Sequence, residues 1–363
     1  MMEEIVAHRF GRQGAHPKIY IQAGLHADEV AGTLVLERLV RLLEVDDRHG
    51  RILGEVIVVP HCNPRGLGQF VLGRHLGRFD LQDGRNFNRG FPDLAEDVIS
   101  TLERLDAKAR TRERAVEIGL SLLRSYDAKG DGDRLRLHLM QLSWGADMVI
   151  DVHSDMEAIL HMYSSQTAWP GVKPLAERLD IAIVLLADVS ADTPFDEAHG
   201  EAWRRIDRYL GEHGAPPSHP TCACTVELRG LADVDEALTM RDAKAFHAFL
   251  ADAGAVLSES RVVPRTDTIA PADLAAVDMV PSPCFGILVP LKTPGSRVRK
   301  GDILARIFDP AETGARSAWT EIVSAVDGIL FARWHQRVIG KGMSICKIVA
   351  MQAPEKGTRR LLD

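Results

Sequence analysis

The segment GLHADE places His26 and Glu29 three positions apart, just after the apolar run KIYIQAG. An imidazole nitrogen and a carboxylate oxygen are both good ligands for a divalent cation. Three-residue spacing where a helix begins puts the two side chains about one turn apart on one face. The pair alone equally fits an exposed His beside a Glu favoured by the helix dipole, because HxxE is common by chance. A third donor comes from MVIDVHS, where His153 ends an expected strand. In open α/β sheets ligands bind beyond the carboxyl ends of strands. Asp151, two residues earlier, could accept a hydrogen bond from that imidazole; the alternative for His153 is a satisfied core histidine. Together His26, Glu29 and His153 form a His₂Glu set with an open fourth position. That is the pattern of catalytic zinc, and one Zn²⁺ per chain is expected.

Three further features suit an acyl-transfer site. CTVELRG buries Glu227 in an otherwise apolar strand, where a carboxylate must be paired, ligated or catalytic. Near an acidified water it would act as general base, then as general acid to a leaving amine. Arg229, two residues on, is the alternative partner in a plain salt bridge. DGRNFNRGFPD carries Asn88 and Arg89, a neutral donor beside a bidentate fork, which suits a substrate carboxylate. Arg78, ten positions before Asn88, could face a developing oxyanion. A solvated basic loop remains the alternative for each arginine taken singly.

The elements that must hold these residues can be read from periodicity. KIYIQAG, EVIVVPHCNP, MVIDVHS, IAIVLLADV and CTVELRG are short, β-branched-rich runs closed by Gly, Pro, Asn or polar residues, and are expected strands. A helix is expected from about Glu29 to Leu43, with Leu36, Leu39, Val40 and Leu43 inward. A long charged helix is expected over 95–126, a surface loop over 123–137, and a helix over 233–253 stopped by Gly254. Strands alternating with helices argue for an α/β sheet covered on both faces. From about residue 264 the texture becomes short strands and Gly turns. VVPRTDTIAPADL reads as a linker, and two halves with one rhythm, GILVPLKTPGSRVRKGD and GILFARWHQRVIGKGM, predict a pseudo-symmetric all-β sandwich or barrel.

Composition narrows the function classes. The 363 residues are 45% hydrophobic with a net charge of −7, enough for a sizeable core in two domains, 1–263 and 264–363. Interspersed charges and a pI near 6.1 leave no footprint for nucleic acid. The amino-terminal segment does not read as a signal peptide, and IAIVLLADV is too short to span a bilayer. Five cysteines without a CxxC pair read as reduced thiols, so a cytoplasmic protein without membrane partners is expected.

Taken in order, GLHADE, NPRGLGQ, GRFDLQDGRNFNRGFPD, DVHSD and TVELRG resemble the succinylglutamate desuccinylase/aspartoacylase family of zinc hydrolases, relatives of the zinc carboxypeptidases. The resemblance spans roughly residues 18–250. It implies a zinc-carboxypeptidase-like mixed sheet flanked by helices, with His26, Glu29 and His153 as zinc ligands and Glu227 as general base. Arg78 would polarise the scissile carbonyl, and Asn88 and Arg89 would hold the substrate carboxylate. The chain departs from the family at Asn86-Phe87-Asn88-Arg89, where the usual run is Asp-Leu-Asn-Arg, so the first carboxylate is missing. The carboxy-terminal region is similar to the family's barrel-sandwich module, related to biotinyl and lipoyl domains. The hairpin DPAETGARSAW has no lysine to modify, and Lys292 and Lys300 lie elsewhere, so no prosthetic group is expected. The expected function is zinc-dependent hydrolysis of a small anionic N-acyl amino acid or related amide, by a homo-oligomer. The alternatives are a metallocarboxypeptidase and a non-catalytic carrier or binding protein. Glu157, His161 and Tyr163 follow His153 closely enough to line the site.

Overall fold

The computed structural model describes residues 4–188, 193–215, 220–257, 271–312 and 318–351. The expected linker falls largely outside these residues, as does the expected boundary at 263/264.

Among the described residues the central sheet has eight strands. They are β1 (His8–Phe10), β2 (Lys18–Ala23), β3 (Glu55–Val59), β6 (Met148–Asp155), β8 (His161–Ser164), β9 (Ile183–Leu186), β10 (Cys222–Gly230) and β11 (Ala272–Asp273). Between β3 and β6 a small hairpin, β4 (Phe70–Val71) and β5 (Arg74–His75), stands apart, and β7 (Glu157–Ala158) follows β6. The order across the sheet is β1-β3-β2-β6-β10-β8-β9-β11. β1 against β3 and β10 against β8 are antiparallel, and the other neighbours are parallel. All five expected strands are present in this mixed sheet.

Alternation along the strands feeds two cores. Ile19, Ile21, Ile150, Val152, Cys224 and Val226 point to one face, packing with Leu36, Leu39, Val40 and Leu43 of α1 (Ala31–Arg48) and with α6 (Trp169–Leu179) and α8 (Glu236–Asp252). Tyr20, Ile57, Val59 and Val149 point to the other face. There they meet α3 (Ala95–Glu103), α4 (Arg112–Ser125), α5 (Asp131–Ser143) and α7 (Phe195–His213). A single turn, α2 (Pro64–Leu67), lies beyond β3.

Three expectations are corrected. The helix after β2 starts at Ala31, so His26 and Glu29 sit in the preceding turn, closed by Glu29 N–H to His26 O at 3.1 Å. The span 95–126 is two helices, because Thr111 is extended and its hydroxyl caps the second through Arg114 N–H. The loop near residue 130 is brief: Gly130 is extended, Asp131 and Asp133 favour a helix N-terminus, and Leu135, Leu137, Leu139 and Met140 supply a buried face.

The carboxy-terminal region forms two sheets. One contains β12 (Val277–Pro281), β14 (Arg297–Val298), β17 (Gly328–Arg333) and β19 (Ser344–Ala350), joined by β7. The other contains β13 (Gly286–Pro290), β15 (Ile303–Phe308), β16 (Trp319–Val323) and β18 (Val338–Ile339). β13 of the first half pairs with β18 of the second, and β17 of the second pairs with β14 of the first. The shared rhythm of the two halves thus becomes an exchange of strands between sheets, around Leu288, Val298, Ile307, Leu330, Ile339 and Ile348. Among the described residues the sheets make a sandwich and no closed barrel.

Candidate active site and metal centre

Parallel pairing sets the site. β2, β6 and β10 run side by side in register, so the turn after β2, His153 near the end of β6 and Glu227 on β10 meet at one edge. His153 and Glu227 are direct register partners. His26, Glu29 and His153 are 3%, 3% and 2% exposed, and one donor atom from each lies within 4.8 Å of the others.

Hydrogen bonding fixes which nitrogen each imidazole offers. Asn86 Oδ1 accepts Asn88 N–H at 2.8 Å, which identifies it as the amide oxygen, and lies 2.8 Å from His26 Nε2. His26 must therefore donate from Nε2, which leaves the Nδ1 lone pair 2.8 Å from Glu29 Oε1. His153 Nε2 lies 2.9 Å from Asp151 Oδ2, and its Nδ1 is 2.7 Å from Glu29 Oε2. Two Nδ1 atoms thus converge on one carboxylate, with outer partners holding both rings. Asp151 is held by Gln22 Nε2 at 3.0 Å, and Gln22 by Tyr20 Oη at 2.8 Å.

The charges fit a dication. Burial, then the Arg78 guanidinium, lowers His26 to about 4, so its ring is neutral as a metal ligand must be. Burial alone would lower His153, but Asp151 and Glu29 outweigh it and raise its pKa well above the ordinary value. Glu29 is held well below the carboxylate range; the two histidines overcome the opposing effect of burial. A proton between two buried carboxylates is what a metal ion would displace. A His₂Glu donor set with oriented rings suits a divalent metal ion.

The other expected residues surround a cavity lined by His26, Arg78, Asn88, Arg89, His153 and Glu227, among others. Arg78 Nη1 lies 3.0 Å from Glu29 Oε1 and 3.2 Å from His26 Nδ1. Asn88 is largely committed internally: Oδ1 accepts Phe195 N–H at 2.8 Å, and Nδ2 lies 3.3 Å from His153 Nε2. Arg89 reaches the cavity while its Nη1 donates to Asn88 O at 2.6 Å. Burial, then the Glu29 charge, raises Glu227 to about 8, and its Oε2 is buried without a hydrogen-bond partner among the described residues. Arg229 is not its partner. It adopts a φ of 61° within a register shift in β10 and pairs with Asp242 of α8 at 2.7 and 3.0 Å.

Of the residues after His153, Tyr163 lines the cavity. His161 is fully buried, with Nδ1 on Ile159 O, and Glu157 pairs with Arg333 and Arg337. Sequence reasoning missed Arg136, which reaches from α5 to Arg89 O at 2.6 Å and Asn86 O at 3.2 Å, because its segment reads as loop. It also missed Lys347 of β19, whose ammonium lies 2.6 Å from Asp155.

The site is thus a mixed α/β sheet with three buried metal-type donors at its strand ends, beside a carboxylate one of whose oxygens has no hydrogen-bond partner among the described residues. Residues 15–131 match the succinylglutamate desuccinylase/aspartoacylase catalytic domain, the family that the ordered motifs resemble. No curated protein matches the chain in sequence. Among solved structures, a family protein from Shewanella amazonensis is 25% identical, with a TM-score of 0.81 over 95% of this chain and 93% of that one. Another from Shewanella frigidimarina is 24% identical, with a TM-score of 0.80 over 95% and 92%. The ectoine utilization protein of Ruegeria pomeroyi, at 17% identity, a TM-score of 0.62 and coverage of 95% and 88%, shares the fold. Among the described residues no helix is long and apolar enough to cross a membrane.

Proposed function

We propose that the chain is a zinc-dependent deacylase that hydrolyses a small N-acyl amino acid to a carboxylate and a free amine. The observation that carries this reading is the convergence of His26, Glu29 and His153 next to Glu227, which lines the same cavity and has one oxygen without a partner among the described residues. When bound, zinc would supply Lewis acidity, acidifying water and drawing charge from a polarised carbonyl. Glu227 takes the proton of the attacking water as its oxygen adds to the amide carbon. The C–N bond then breaks, and Glu227 returns the proton to the leaving amine. Arg78 adds positive charge at the developing oxyanion. Arg89 reads the substrate carboxylate, with Asn88 holding the loop against α7. Five free cysteines accord with the reducing cytoplasm, and the exposed Phe285, Ile287, Val289 and Leu291 on the sandwich accord with a homo-oligomer.

The test is a screen of N-acetyl, N-succinyl and N-formyl amino acids, alongside carboxy-terminal peptides, with zinc-loaded protein. Release of the free amino acid, lost together with metal in His153→Ala, supports the reading. Cleavage of peptides alone, or no turnover of any acyl amino acid, overturns it.

A further inference from the structure

The cavity runs away from the metal centre along β10. Glu227 and Thr225 both line it and share one face of the strand, about 7 Å apart. Arg78, beside His26 and Glu29, marks the near end, and Arg89 also lines the cavity. The far end is walled by Asp188 after β9 and by Asp196, Glu197 and Glu201 on the first turns of α7. The one cation among the described residues of that far wall is Arg204, which Glu201 holds through bonds of 2.7 and 2.8 Å. The cavity is therefore bipolar, basic beside the metal centre and acidic beyond it.

Acids in a helix's first turn are common because they favour the dipole, but that effect belongs to exposed carboxylates in their ordinary or lowered range. Asp196 instead hydrogen-bonds Thr225 on the cavity face of β10. Burial, then Glu197, pushes its carboxyl up to about 7. Glu227, whose Oε2 is buried and without a partner among the described residues, lines the same space. A cation placed against Asp196 would relieve the repulsion with Glu197 and favour the charged carboxylate.

Resting on the deacylase reading above, we propose that Asp196, supported by Glu197, selects N-acyl amino acids whose side chain ends in a cation. The roughly 7 Å from Glu227 to Thr225 sets the span between leaving amine and cation, and so a side chain of three or four carbons bearing an ammonium or guanidinium. The scissile amide then lies by Glu227, the α-carboxylate by Arg89 and the distal cation by Asp196. Asp196 is a specificity residue that touches substrate and takes no part in the bond-breaking step.

The experiment compares Nα-acyl ornithine, lysine and arginine with Nα-acyl norleucine and citrulline, using zinc-loaded full-length protein. Acetyl, succinyl and formyl forms are all included. The expected result is a kcat/KM at least tenfold higher for cationic than for neutral side chains, expressed mainly in KM. Asp196→Asn should bring that ratio within about threefold of unity, and Glu197→Gln should lower it, which keeps the idea testable if one variant folds poorly. Turnover of cationic and neutral substrates at equal kcat/KM overturns the selectivity and leaves the deacylase reading intact. An unchanged ratio in Asp196→Asn removes this residue from the role. No turnover of any acyl amino acid overturns both readings.

Discussion

Gly77 offers a test of the proposed metal centre that touches none of its proposed ligands. Its carbonyl accepts Ala27 N–H at 3.0 Å, so it braces the turn between His26 and Glu29 from behind. A Cβ at residue 77 would lie 2.2 Å from Asp28 N, 2.6 Å from the Ala27 carbonyl carbon and 3.0 Å from Ala27 Cα. Ordinary contacts are about 3.5–4.0 Å, so Gly77→Ala demands a displacement of roughly 1 Å, and every obstructing atom is backbone. Overpacking of this kind costs about 1–3 kcal/mol. Metal–ligand distances tolerate only about 0.2 Å, so a 1 Å shift of the turn carrying His26 and Glu29 should cost at least tenfold in zinc affinity, or about 1.4 kcal/mol.

The assay is zinc affinity by chelator competition, with thermal melts in chelator and in excess zinc. The melt in chelator isolates the packing cost, and the extra stabilisation by zinc reports affinity through mass action. Gly130→Ala is the control: Gly130 is extended at φ −164° with open space around its Cβ, so the variant should match the parent in both readouts. If Gly77→Ala bound zinc within twofold of the parent and melted within a degree of it, the geometry assigned to the turn would be refuted.

Glu227→Gln should lower turnover at least a hundredfold while zinc binding persists, and a loss below about tenfold would place the base elsewhere. Lys347→Met leaves Asp155 buried without its cation and should destabilise the protein by about 3 kcal/mol in denaturant titrations, with Asp155→Asn restoring much of the loss. Asp196→Asn has a pH signature in stability. Burial, then Glu197, pushes the folded carboxyl up to about 7 from the ordinary carboxylate range, so the folded state binds the proton more tightly. The parent should lose stability relative to the variant as pH rises from about 4 to 7, then run parallel above that. Discounted for partial solvent contact, the difference at pH 8 is roughly 2 kcal/mol, and parallel curves from pH 4 to 8 would show that the carboxyl is not perturbed.

What was legible in the sequence followed from periodicity and donor chemistry. The strand runs are apolar because both sheet faces are covered, so β2, β3, β6, β9 and β10 stood out, and with them the carboxyl-end positions of His26, Glu29 and His153. Boundaries set by one side chain were not legible: Thr111 as a cap inside a charged stretch, or Asp131 and Asp133 as helix starters that read as loop. The second error hid Arg136, whose guanidinium holds the Asn86–Arg89 loop from a helix that was not anticipated. Asn86 shows the same limit. Its departure from the family run was plain, but only the paired bonds to His26 and Asn88 N–H show that an amide oxygen can do the work expected of a carboxylate. Lys347 was beyond reach because no pattern connects residues 192 positions apart.

That distant lysine bears on what the sandwich contributes to the site. Five residues after His153 the chain has crossed from β6 into β7, which pairs with β17: Ala158 opposes Ala332 and Glu157 opposes Arg333. Glu157 is gripped by Arg333 and Arg337, and Asp155 by Lys347, so each acidic residue on this crossing has a cation from the sandwich. Phe331 packs edge-on to His161 with ring centroids 5.0 Å apart, and Val277, Phe331 and Val349 share a buried cluster with Ile183 and Leu185 of β9. Apolar burial and paired charges together tie the sandwich to the strand that carries a metal-type donor. The Lys347 charge also favours the ionised form of Glu227, opposing the burial that raises it. The sandwich thus shapes the electrostatics of the proposed base as well as the wall beside it, a role that needs neither a modified lysine nor a carried group.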